Sequence, residues 1–190
     1  MGRESGRPLR SDARRNRDKI LCAALRMFGE RGLNVHLDHI AKEAGVGAGT
    51  LYRNFPTREE LIEAAYRHEL TTLCESVPRL RARLPPQQAL REWMIGFLDY
   101  ATAKMGLADA LRSVVDWDRV PSCESREMLL DSITPLLTNG AEAGVIRADV
   151  PPEDLLVALM GIALATGRAE QRDQAERLLD LLFGGLLVRR

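Results

Sequence analysis

The sequence predicts an all-α protein of about nine helices, and three observations carry that expectation. Apolar residues recur at helical spacing along most of the chain, no stretch alternates apolar and polar residues long enough for a strand, and prolines and glycines stand where successive helices must stop. The 190 residues are 45% apolar and 28% charged, which supplies a core and excludes wholesale disorder.

Residues 1–11 hold two glycines, a proline and several arginines and are expected to form a flexible basic arm. The first helix is predicted over Asp12–Arg31, where Ile20, Leu21, Ala24, Leu25 and Phe28 make one apolar face and Gly32 suits a left-handed C-terminal cap. Leu37, Ile40, Ala41 and Ala44 predict a short second helix that Gly45 breaks, and Val46–Asn54 predicts a third that Pro56 ends. Thr57-Arg58-Glu59-Glu60 is a capping box opening a fourth helix toward Cys74. Further helices are expected near Pro86–Met105, Leu107–Trp117, Cys123–Ala143, Pro152–Gly167 and Gln171–Val188, with a bend at Pro135 and a glycine cap at Gly144. These elements divide into the arm, a domain over 12–56 and a second domain over 57–190.

Lys and Arg balance Asp and Glu at 27 each, yet the charge is unevenly placed. Residues 1–55 carry eleven basic and six acidic side chains, and the remainder sixteen basic and twenty-one acidic. A basic head on an acidic body suits an anionic partner for the head alone, although a solvated terminal arginine run reads the same way.

The segment Leu37–Pro56 explains that charge best. A helix-turn-helix needs two short helices crossing steeply, a small residue at their contact and a turn that reverses direction. Ala41 and Gly45 supply these, and Ile40, Ala44, Val46 and Leu51 seal the inner side. Ala48, Gly49, Thr50, Arg53 and Asn54 are then left on the outer side of the second helix, free to enter a major groove.

The run from Ile40 to Leu61 resembles the DNA-binding segment of the tetracycline-repressor (TetR) family. It carries an Ile40-Ala41 pair, an Ala44-Gly45-Val46 turn, a Gly49-Thr50-Leu51-Tyr52-Arg53-Asn54-Phe55 recognition helix and an Arg58-Glu59-Glu60-Leu61 start to the next helix. The first helix's ending, Phe28-Gly29-Glu30-Arg31-Gly32, also fits, so the motif likeness covers about Arg15–Tyr66. Two positions depart from the family's commonest form: His36 replaces a Ser or Thr cap, and Gly47 replaces Ser at the start of the recognition helix.

The resemblance implies a dimeric transcriptional regulator, a repressor released by a small molecule, that binds double-stranded DNA at a palindromic operator. Tyr52 resembles a phosphate-contacting tyrosine of the family. By residue type, Thr50 suits a phosphate or a thymine methyl, Arg58 a phosphate, and Arg53 and Asn54 base edges. Lys42, Arg14 and Arg15 add salt-dependent affinity, His36 borders the site, and Gly47, Ala48 and Gly49 permit close backbone approach. Judged outside the motif, each polar residue keeps a solvated surface group as its lesser alternative.

The second domain is expected to sense and dimerise. Leu155, Leu159, Ile162, Leu178, Leu182 and Leu186 belong to two strongly apolar terminal helices, which the resemblance assigns to a dimer contact and which could instead be monomer core. Trp93, Met94, Phe97, Tyr100, Met105, Trp117 and Met128 could line a pocket for a small apolar or amphipathic effector, though such residues more often fill a core.

Other chemistry fits poorly. The glycines at 45, 47 and 49 follow a helix and lack phosphate-loop spacing, His36 and His39 lack further metal ligands nearby, and no imidazole follows His68 to serve a hydrolase. No cofactor or metal is expected, and the chain is not read as an enzyme. The three cysteines (Cys22, Cys74, Cys123) fit neither a disulfide framework nor a zinc pattern, no signal peptide is evident, and the apolar runs are too short to span a bilayer, so a cytoplasmic setting is expected. The alternatives are a helix-turn-helix regulator without a small-molecule effector, and a helical ligand carrier or enzyme.

Overall fold

The structure, a computed structural model, describes residues 7–32, 34–111, 123–167 and 171–188. Among them are nine helices and no strand beyond one isolated bridge. They are α1 (Arg7–Arg31), α2 (Leu37–Glu43), α3 (Ala48–Asn54), α4 (Arg58–Glu75), α5 (Val77–Arg83), α6 (Pro86–Leu111), α7 (Cys123–Glu142), α8 (Pro152–Ala165) and α9 (Arg172–Leu186). The chain divides into two compact units, one running through His68 and the other starting at Glu69. That division falls inside α4, later than the Pro56 boundary that the punctuation of the sequence suggests. A proline marks where a helix ends but says nothing about which side chains share a core.

In the first unit α1 touches α2 and α3, and α2 touches α3. Ile20, Ala24, Ile40, Leu51 and Phe55 are buried there. Ala41 is 2% exposed, as the small residue at a helix crossing must be. α1 already begins at Arg7, within the segment expected to form the basic arm. Pro8 suits that first turn, where a missing N–H leaves no bond unmade.

The second unit is built around α6, which packs against α5, α7, α8 and α9. Trp93, Met94, Phe97 and Leu98 of α6 are sealed among Leu129, Ile133 and Leu136 of α7, Leu155, Leu156 and Leu159 of α8, and Leu179 of α9. Arg91 donates to Asp180 at 2.7 and 3.1 Å, and Arg172 pairs with Asp99, so α6 and α9 are also joined at the surface. Sequence punctuation misplaced two elements. One continuous α6 replaces the two helices expected on either side of Gly106, since a mid-helix glycine costs only about 1 kcal/mol. A separate α5 also appears, with Pro78 in its first turn. Before it, the Ser76 hydroxyl turns back to donate to the Leu73 carbonyl at 2.7 Å.

The glycine caps form as expected. Gly32, Gly45 and Gly144 have φ of 73°, 67° and 65°. At the end of α7, Val145 N–H donates to Gly140 O at 3.0 Å and Gly144 N–H to Ala141 O at 2.9 Å, the Schellman arrangement. The chain then folds tightly back: a Cβ added to Gly140 would stand 2.8 Å from Ile146 Cβ. Ile146 in turn bridges Leu187, with Arg147 N–H on Leu186 O at 2.9 Å and Val188 N–H on Val145 O at 3.2 Å.

Candidate nucleic-acid interface

The turn between α2 and α3 is fixed by backbone geometry. Val46 N–H donates to Ala41 O at 3.0 Å and Gly45 N–H to Lys42 O at 3.1 Å, the same Schellman pattern with Gly45 in the left-handed region. Leu51 is fully buried and Phe55 is 1% exposed, so α3 is pinned by one side and its other side faces solvent. The Arg17 guanidinium lies 4.5 Å from the Phe55 ring centroid, and Arg26 pairs with Glu43, tying α1 to the pair from both ends.

On the outer side of α3 the residues singled out by the sequence come together. Ala48, Gly49, Tyr52 and Arg53 are exposed, as is Gly47 at the N-cap. Tyr52 is 44% exposed, unusual for a large aromatic ring without a partner surface. A Cβ built on Gly47 or Gly49 would meet nothing within 4 Å. His36 and Gly47 occupy the N-caps of α2 and α3, and neither position has a side-chain cap bond. Lys42, Arg14, Arg15 and His36 are also exposed, with Arg15 paired to Asp12.

Two expected contacts are partly spoken for within the chain. The Asn54 amide donates to its own helix, on Thr50 O at 2.8 Å, and is half-buried. Arg58 sends Nη1 inward to Val35 O at 2.7 Å, bracing the start of α4 against the segment before α2. Arg53 Nη2 lies 3.3 Å from Thr50 Oγ1, a weak bond at the long end of the range. The first bond of the Thr57 capping box is present, with Glu60 N–H on Thr57 Oγ1 at 3.2 Å.

Comparison with known proteins decides what this arrangement belongs to. Residues 20–65 match the family profile described as bacterial regulatory proteins, tetR family, and residues 85–188 match the C-terminal domain of SbtR-like transcriptional regulators. The chain belongs to the TetR family of transcriptional regulators. Among solved structures, the TetR transcriptional regulator SCO0520 of Streptomyces coelicolor is 57% identical with a TM-score of 0.81, covering 92% of this chain and 99% of that one. A TetR regulatory protein of Mycobacterium vanbaalenii is 34% identical with a TM-score of 0.76, over 95% of this chain and all of that one. A helix-turn-helix-type transcriptional regulator of Staphylococcus aureus (strain USA300) is 40% identical over 63 residues, a match spanning 33% of this chain and 34% of that protein.

The residues expected to line an effector pocket are placed differently. Trp93, Met94 and Phe97 are fully buried and Tyr100 is 5% exposed, so they form the centre of the TetR-family chain's second core. Met128 is half-buried against that core. Trp117, and the side chain of Met105, lie outside the described residues. A cleft of about 600 Å³ does open between α5 and α7, but Val77, Pro78, Arg81, Asp131 and Pro135 line it, and none of the expected residues does.

The expected dimer residues differ in burial. Leu155, Leu159 and Leu186 are buried in the chain's own core, while Ile162, Leu178 and Leu182 are half-buried. The large apolar side chains left open on the last two helices are Val157 at 59%, Leu164 at 54% and Leu181 at 74% exposure. A helix apolar around most of its circumference serves two surfaces, and periodicity alone does not say which residue serves which.

Sequence reasoning missed Glu69. It lies on α4, half-buried, and its Oε2 has no hydrogen-bond partner. Burial, and then the Asp99 carboxylate, push its pKa above the ordinary value. As one acid on a mostly amphipathic helix it carries no signal in the sequence. No helix among the described residues is long and apolar enough to cross a membrane, and the described residues hold no cluster of three or more metal-ligating side chains.

Proposed function

We propose that this TetR-family protein is a repressor that binds a two-fold symmetric operator as a homodimer and is released by a small molecule. The observation that carries the DNA-binding part is α3. Its inner side is sealed, its outer side bears an exposed tyrosine and arginine, and its leading turn has no side chain larger than alanine. Such a helix approaches a groove closely and reads it with few direct contacts. Tyr52 binds phosphate through its hydroxyl, Arg53 reads a guanine, and Thr50 contacts phosphate or a thymine methyl. Lys42, Arg14 and Arg15 contribute non-specific, salt-sensitive affinity. Asn54 and Arg58 act chiefly by holding α3 and the start of α4 in place, through the bonds that occupy them.

Open apolar side chains on α8 and α9 support a dimer, because Val157, Leu164 and Leu181 leave more greasy surface than a solvated helix normally keeps. Two copies would set their recognition helices about 34 Å apart, one turn of duplex. Selection of bound fragments from the source genome tests the reading. It is expected to return a palindrome, and Tyr52→Phe should weaken binding to that site and to unrelated duplex alike, whereas Arg53→Ala should relax the base preference at one position per half-site. Indifference of both variants would place the DNA contact elsewhere.

A further inference from the structure

Glu69 opens the α4 part of the second unit, and among the described residues no ion pair balances it. Its Oε2 is shut off from solvent and accepts no hydrogen bond. A carboxylate in that position normally recruits a cation or several donors, because an unpaired buried charge is strongly disfavoured. Its neighbours deepen the imbalance. Asp99 adds a second negative charge nearby, and the described cation beside Asp99, Arg172, is already shared between Asp99 and Glu176.

Tyr100 of α6, near Glu69, ends an aromatic wall. Leu73 Cδ1 lies 3.0 Å from where a Cβ on Gly96 would stand, so α4 and α6 touch there. One turn away along each helix are Glu69 and Tyr100, and they sense each other: burial and then the Glu69 charge push the Tyr100 hydroxyl up to about 12. Tyr100 is 5% exposed. Phe97 continues the wall, its ring centroid 6.3 Å from Tyr100 and 5.9 Å from Trp93. The Trp93 indole N–H is likewise buried without a partner. An unpartnered carboxylate oxygen beside a row of buried rings suits positive charge carried on an apolar body.

We propose that Glu69 is the anionic anchor of a site for an organic ammonium cation, with the Tyr100 and Phe97 rings packing against its apolar part. This rests on the small-molecule release proposed above and names the chemical class of the effector. Since Oε2 is sealed, the cation must part the α4–α6 contact to reach it, so it binds an opened arrangement in preference to this one.

The test uses the full-length protein without DNA and isothermal titration calorimetry. The probes are 2-phenylethylammonium and 4-phenylbutylammonium chlorides, set against the alcohols 2-phenylethanol and 4-phenylbutanol. At least one cation should bind about tenfold more tightly than its alcohol. Glu69→Gln should erase that preference while leaving alcohol binding and thermal unfolding undiminished. Equal binding of cation and alcohol in both pairs, or a preference that survives in Glu69→Gln, would overturn the proposal. Operator release is read separately by anisotropy of labelled duplex. A cation that binds through Glu69 yet leaves the operator complex intact upholds this site and defeats the release reading.

Discussion

Replacing Gly45 by alanine isolates the backbone requirement of the helix-turn-helix bend. Gly45 has φ +67°, and a Cβ there would meet nothing within 4 Å, so no clash contributes. The cost is conformational: holding an L side chain in the left-handed region takes about 1–2 kcal/mol. Alanine's stiffer unfolded chain returns about 0.4–1 kcal/mol, leaving a net loss of about 1 kcal/mol, or roughly fivefold in the folding equilibrium. Gly49 is the control, four residues on and equally open but inside α3 without a positive φ. There alanine should gain about 0.5–1 kcal/mol by stiffening a helix. Urea titration at constant m-value reads both. The two midpoints should move in opposite directions. If Gly45→Ala stabilises, or both variants shift the midpoint the same way, the claim that backbone conformation shapes this turn is wrong.

Gly140→Ala should destabilise the second unit, because the added methyl must displace Ile146 from beneath the Leu187 bridge. Overpacking of about 1–3 kcal/mol outweighs about 1 kcal/mol of helix propensity, and adding Ile146→Ala, which removes Cγ1 but keeps Cβ, should lessen the further loss from Gly140→Ala without abolishing it in a double-mutant cycle of denaturation. Glu69 makes stability fall as pH rises: its folded pKa lies above the ordinary 4.5, so the benefit of its neutral form is complete below that value and is lost as pH climbs through the raised one. Glu69→Gln should therefore gain thermal stability over the parent at pH 7–8 and show no gain at pH 4. Leu181→Glu, at a position 74% exposed, should leave each chain's melting little changed while shifting sedimentation from dimer to monomer. A dimer that persists unchanged would remove this part of α9 from the contact.

The first unit was the more legible part of the sequence, and the reason is local. Gly32, Gly45 and Ala41 are dictated by backbone conformation and by the spacing of helices close in the chain, so their identity announces their role. The second unit is specified by long-range packing, which periodicity does not encode. Leu155 and Val157 stand two residues apart on the same greasy helix, yet one is buried and the other open. Trp93 and Phe97 suit a core more often than a pocket wall, and α7, α8 and α9 pack around them on α6. Asn54 has the chemistry for an adenine, and its amide also donates to the Thr50 carbonyl, a bond that residue type alone does not reveal.

The bare leading turn of α3 has an evolutionary corollary. Positions 47 and 49 open onto empty space, so the Cβ of a serine, glutamine or lysine grafted there would meet no neighbour. Which DNA word this scaffold recognises can therefore drift, or be reprogrammed in the laboratory, one substitution at a time while the rest of the molecule stays as it is.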